Sequence, residues 1–215
     1  MLVGVRYRHR GSFEEAEAAA AAAIALARGG DTPRIEGAAH AVLGLLHGEL
    51  GRAELARDAD VRARAIFRAA GDRWSDGLAL ANLAQLDQAA AEWERAAYGY
   101  DAAIARFHEL RDRRYEGRYL GYRGSLELER GDPAAAHATL VSAVEMLALL
   151  GIPRDEALFR AWRGTLHAAG GDLEGALGEL DHASDLVART DAPSIAAAIA
   201  VHRGHIDLLL SLIHI

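Results

Sequence analysis

Small and apolar residues along this chain recur on a helical spacing, and the spacing itself recurs every 40 residues. Ala136 finds counterparts at Ala16, Ala56, Ala96 and Ala176, and Ala143 finds them at Ala23, Ala63, Ala103 and Ala183. The two alanines of each copy stand two helical turns apart, so they share a face. Gly124 maps likewise to Gly4, Gly44, Gly164 and Gly204, with Ala84 between them, and Gly131 maps to Gly11, Gly51 and Gly171. Self-similarity at a fixed period marks a stacked-repeat protein, in which each unit buries its apolar face against its neighbours.

Turn and cap residues cut this pattern into helices. Ser12 with Glu15 reads as a capping box. Gly29-Gly30-Asp31-Thr32-Pro33 reads as a stop followed by a start, with Thr32 as N-cap and Pro33 at the first helical position. Asp132-Pro133, Ile152-Pro153, Gly171-Asp172 and Asp191-Ala192-Pro193 repeat the theme. About ten helices are expected, ending near Arg28, Leu50, Ala70, Ala90, Leu110, Arg130, Leu150, Ala169, Arg189 and Leu209. No strand-like alternation interrupts them, and the short loops force consecutive helices antiparallel. The domain expected is one array over 1–209: a partial repeat 1–30, repeats 33–70, 73–110, 113–150 and 153–190, and a half repeat 193–209. The stretch 1–10 reads as the second half of a helix.

The repeated small residues call for close packing. A mid-helix glycine costs about 1 kcal/mol relative to alanine, so its recurrence at Gly4, Gly44, Gly124, Gly164 and Gly204 predicts that backbones approach there. Leu46, Leu86, Leu126, Leu166, Ile66, Phe67, Phe107, Met146 and Leu147 are the expected filling between hairpins.

These residues carry a resemblance to the tetratricopeptide repeat, whose pattern is W-x2-L-G-x2-Y, then A-x3-F, then P. The first helix reads Val3-Gly4-x2-Tyr7, Leu43-Gly44-x2-His47 and Leu83-Ala84-x2-Asp87; the second reads Ala96-x3-Tyr100, Ala136-x3-Leu140 and Ala176-x3-Leu180. The usual repeat has 34 residues; the longer one here lengthens the second helix by roughly 9 Å. That form resembles the extended arrays of bacterial signalling proteins and cell-polarity adaptors. The resemblance implies a right-handed α-solenoid, a TPR-like superhelix of antiparallel helix hairpins, whose first helices line a concave groove for a partner protein or peptide. It also implies that an asparagine in the groove contacts the backbone of a bound peptide; Asn82 alone matches, where the other copies have Leu2, Val42, Tyr122, Trp162 and His202. The groove residues expected are Asn82, Gln85, Arg118, Tyr119, Tyr122, Phe159, Trp162 and His202. Aromatic residues beside arginine are common at binding surfaces, though the same side chains could simply pack on adjacent helices. Arg123, Arg163 and Arg203 stand where the family has leucine. Either their heads pair with carboxylates such as Glu127, Glu145 and Asp181, or they form a line for an acidic ligand.

Composition narrows the chemistry. The chain has no cysteine, which leaves no disulfide framework and no thiolate metal site. All 24 basic residues are arginine, a bias that reads as a GC-rich genome rather than a chemical need, and the net charge of −7 opposes a direct nucleic-acid footprint. No P-loop or HExxH motif occurs. His202 and His205 share a helical face with Asp207 nearby, a pattern met more often as surface histidines than as a metal site. No catalytic residue, cofactor or metal is expected, nor a membrane partner. Leu210-Ser-Leu-Ile-His-Ile215 breaks the register. It reads as the translated end of a transposon used in sequencing-library preparation, hence a non-native tail, or else as a genuine apolar helix end or membrane-proximal tail. The resulting expectation is a cytoplasmic interaction scaffold, a fragment of a larger bacterial signalling or transcription-regulatory protein with a flanking kinase, ATPase or DNA-binding domain. The alternative is a ligand-sensing domain for a small molecule or short peptide.

Overall fold

The structure, a computed structural model, describes residues 13–190 and 192–213, with side chains to 208 in the last helix. The expected half-helix over 1–10 with Gly4 and Tyr7, the Ser12 cap and the Asp191 cap lie outside the described residues. So do the side chains of the 210–215 tail. The described chain is all-α: α1 (Phe13–Gly29), α2 (Pro33–Glu49), α3 (Ala53–Ala69), α4 (Arg73–Ala89), α5 (Trp93–Glu109), α6 (Arg113–Arg130), α7 (Pro133–Leu149), α8 (Pro153–Ala169), α9 (Leu173–Ala188) and α10 (Pro193–Ile213). Among these residues no helix is long and apolar enough to cross a membrane. Contacts group into two compact units, Met1–Leu110 and Arg111–Ile215.

The first eight inter-helix turns share one device. A residue at or just after the C-cap takes a positive φ at Asp31, Gly51, Gly71, Ala91, Arg111, Gly131, Gly151 and Gly171, a step of twenty residues each time. The next amide then reaches back five residues, as in Asp72 N to Phe67 O at 2.8 Å and Asp132 N to Glu127 O at 2.9 Å. This is the Schellman closure, which satisfies carbonyls that the helix end would otherwise leave open. Four of the following helices are started by an aspartate: Asp72, Asp112, Asp132 and Asp172 accept from the amides of Ser75, Tyr115, Ala135 and Gly175 at 2.9–3.2 Å. Thr32 departs from expectation. It holds the N-cap position of α2 without a side-chain cap bond, because its hydroxyl turns back to donate to the Ala27 carbonyl at 3.3 Å.

In the first unit, α2 packs on α3 and α4 on α5, with α1 against α2, α3 against α4 and α2 beside α4. In the second, α6 packs on α7 and α8 on α9, with α6, α8 and α10 forming successive neighbours. Both units are thus helical repeats. The repeated alanines are the buried contact points: Ala16, Ala56, Ala96, Ala136 and Ala176 have no exposed surface, nor do Ala63, Ala103, Ala143 and Ala183. Of the larger residues, Leu46, Leu126, Leu166, Phe67, Phe107 and Leu147 are buried, whereas Leu86, Ile66 and Met146 are only half-buried.

The mid-helix glycines do not all do what their recurrence predicts. At Gly164 a backbone does approach, since an added Cβ would lie 3.1 Å from the Ala176 carbonyl oxygen. At Gly124 side chain and backbone both come near, with Leu140 Cγ 2.7 Å and the Leu140 amide nitrogen 3.2 Å from that position, and at Gly44 the neighbour is the Asp60 carboxylate at 2.6 Å. Gly204 has nothing within 4 Å. At Gly44 and Gly124 the second helix of the hairpin lays a side chain across the first. Full burial of Leu140, midway along α7, contributes roughly 2 kcal/mol.

Candidate partner-binding surface

The second unit presents one side of three neighbouring helices, α6, α8 and α10. Residues 122, 162 and 202 occupy equivalent places on them, a 40-residue step apart. Tyr122, Trp162 and His202 are each half-buried, and Tyr122 and Trp162 pack against the core beneath them. Trp162 meets the His202 ring edge-on at 4.9 Å between centroids. Tyr122 meets Phe159 in the same manner at 5.3 Å. Along α6 the rings continue from Tyr122 to Tyr119 at 6.1 Å and on to Tyr115 at 6.2 Å. Aromatic pairs at such separations prefer edge-on or offset geometry, which fixes ring orientation.

Two of the expected groove residues have no surface to offer. Phe159 is fully buried and Tyr119 is 3% exposed. Phe159 goes inward because Gly121 leaves it room; a Cβ there would overlap the ring. It belongs to a core formed with Leu140, Val144 and Leu147. Both residues therefore act as supports beneath Tyr122, and burial raises the Tyr119 and Tyr122 hydroxyls above the usual phenol range. Arg118 lies over the Tyr115 ring at 4.8 Å. Its guanidinium also donates to Asp155 of α8 from Nε at 2.8 Å, with Nη2 at 2.7 Å. This two-point pair ties α6 to α8 at one end of the aromatic run. At the other end the Thr165 hydroxyl and His202 Nδ1 share a hydrogen bond of 2.7 Å. Burial, with His205 adding to it, holds the His202 imidazole below its ordinary range.

In the first unit, Asn82 and Gln85 lie on α4. Gln85 is half-buried. Asn82 is 7% exposed, and its amide donates to Asp60 Oδ1 at 3.2 Å. The side chain that would hold a peptide backbone is thereby engaged within the stack. Asp60 itself sits where the other copies place Tyr100, Leu140 and Leu180, and is as buried as they are. Burial pushes its carboxyl up to about 7, with the Asn82 bond opposing.

The arginine ladder is paired. Arg123 meets Glu127, Arg163 meets Glu179 and Arg203 meets Asp181. These ion pairs match the carboxylate reading, although Glu179 replaces Glu145 among the partners. Among the described residues no group of three or more His, Asp or Glu side chains is placed to hold a metal ion.

Sequence reasoning missed Tyr115, Thr165 and Asp155 on this surface. Thr165 and His202 are 37 apart, as are Arg118 and Asp155, three short of the repeat. That offset is the signature of one helix reaching one turn along its neighbour, and it is readable once the period is known.

No protein-family model matches the chain and no curated protein sequence matches it. Among solved structures, the crystal structure of BtubC (BKLC) from P. vanneervenii is similar, with a TM-score of 0.73 and 21% identity over 86% of this chain and 77% of that one. The likeness is one of fold, that of a helical-repeat protein.

Proposed function

We propose that the chain is a protein-interaction scaffold that works by binding rather than catalysis, and that it takes its partner on the α6–α8–α10 face of the second unit. The observation that carries this is the register of Tyr122, Trp162 and His202, three half-buried rings on neighbouring helices. Rings fixed by their neighbours, Tyr122 by Phe159 and Tyr119 and His202 by Trp162 and Thr165, need little further ordering to bind, and anchors of that kind dominate interface energies. Tetratricopeptide-type recognition, and a signalling or transcription-regulatory setting, rest on the resemblance of the repeat alone. The test is a selection from a random peptide library on the immobilised protein, with counter-selection against a Tyr122→Ala/Trp162→Ala double variant. Enrichment that survives only on the parent supports the reading. Equal enrichment on both proteins moves the site elsewhere.

A further inference from the structure

Helix α7 carries almost no charge on the side it turns to water. It runs for 17 residues with one charged side chain, Glu145. Ala134, His137, Ala138, Ser142, Glu145 and Leu149 are exposed along that side, with half-buried Val141 among them. Leu149 is 89% exposed and Leu150 at the C-cap 42%. The other second helices of hairpins are charged at the same places. Ala134 stands where α3, α5 and α9 have Glu54, Glu94 and Glu174, and Val141 stands where α5 and α9 have Asp101 and Asp181. Position 134 lies in the first helical turn, where a carboxylate is favoured by the macrodipole, so alanine there forgoes a stabilising charge. A surface helix keeps polar residues on its outer stripe; an apolar outer stripe of this length is the mark of an interaction face.

Two polar groups on this stripe are left over. Ser142 is turned to its own helix and donates to the Ala138 carbonyl at 3.0 Å. The sequence offers Glu145 to the arginine ladder, but Arg163 pairs with Glu179 instead. Neither Glu145 nor His137 has a hydrogen bond or ion pair among the described residues. They lie four residues either side of Val141, about 6 Å along the axis in each direction. That spacing is what a two-fold axis requires, since residue i of one copy then meets residue j of the other, and j meets i. In an antiparallel pair of α7 helices centred on Val141, each His137 comes opposite the other copy's Glu145. Ala134 comes opposite Ala148, and Pro133 opposite Leu149. The small side chains let the two axes approach, as the buried alanines do inside each hairpin.

We propose that the outer face of α7 is a dimerisation face, covered by α7 of a second copy of this chain lying antiparallel across it, with the His137 imidazole donating to the second copy's Glu145 on both sides of the axis. α7 contributes no residue to the α6–α8–α10 face, so the two readings stand or fall independently. One helix pair makes a small interface and a weak dimer, so sedimentation equilibrium of the whole chain is run from on the order of 10 to 500 µM. The parent shows a monomer–dimer equilibrium in that range. His137→Glu sets two like-charge contacts across the axis and weakens dimerisation at least about tenfold. The double variant His137→Glu/Glu145→Arg restores opposite charges with the sign reversed, and recovers the parent constant to within about threefold. Both positions are exposed, so melting temperatures of the variants in dilute solution match the parent. A parent that stays monomeric throughout overturns the proposal. So does a His137→Glu protein that dimerises like the parent, or a double variant that stays as weak as the single one.

Discussion

Gly44 and Asp60 face each other so closely that a single methyl group on Gly44 would stand 2.6 Å from the carboxylate. The same relation holds between Gly124 and Leu140 in the second unit. One repeat thus places an ionisable group where its counterparts place hydrocarbon.

A pH dependence follows from that substitution. Burial raises the folded-state value of Asp60 to about 7, above the ordinary carboxylate value of 3.8 that an unfolded chain retains. A raised value means the folded state holds the proton more tightly, so the associated stability is fully present below the unfolded value. It is lost as pH rises through about 7. The loss at pH 8 is on the order of 3 kcal/mol. The titratable groups facing α3 from its neighbours are His40 and His47 of α2 and Asp76 and Asp87 of α4; the two aspartates are paired with Arg64 and Arg57 of α3. Thermal melts across pH 5.5–8 should fall for the parent, and fall much less for Asp60→Asn or Asp60→Leu. Parallel pH profiles would contradict the assignment.

The glycines give a paired prediction of opposite sign. Gly124→Ala gains roughly 1 kcal/mol of helix propensity but forces a methyl to 2.7 Å from Leu140 Cγ. The overpacking costs about 1–3 kcal/mol, so the variant is less stable overall. Gly204→Ala meets nothing within 4 Å and gains the propensity alone. Denaturant midpoints of the two variants should move in opposite directions.

Turn residues carry a third expectation. Ala91 and Arg111 hold φ of 57° and 56°, a left-handed conformation that costs about 1–2 kcal/mol for a residue with a Cβ. Ala91→Gly and Arg111→Gly should each raise stability, by roughly 0.5–1 kcal/mol once the added freedom of the unfolded chain is counted. Gly51→Ala should lower it, as read by chemical denaturation.

Much of this fold was legible before any coordinates. Period, helix ends and the burial of Ala56, Ala96, Ala136 and Ala176 all follow from spacing, because close helix packing tolerates only small side chains there. The left-handed turns at Asp31, Ala91 and Arg111 were not legible. Turn geometry at those places is imposed by the neighbouring helices against local preference. Its position on α8 suits Phe159 to the groove in the sequence pattern. It faces inward because Gly121, on another helix, leaves a hole of its size. Asp60 was in plain view: Ala56-x3-Asp60 set beside Ala96-x3-Tyr100 shows a carboxylate at an aromatic position. What spacing alone could not give was its engagement with Asn82, which removes that asparagine from the expected groove chemistry.

Binding at the second unit's aromatic face is the claim on which the functional account turns. The direct measurement is the dissociation constant of one library-selected peptide, by titration calorimetry, for the parent and for Trp162→Ala at matched melting temperature. Removal of a central aromatic anchor should weaken binding about thirtyfold, near 2 kcal/mol. An unchanged constant would contradict the account.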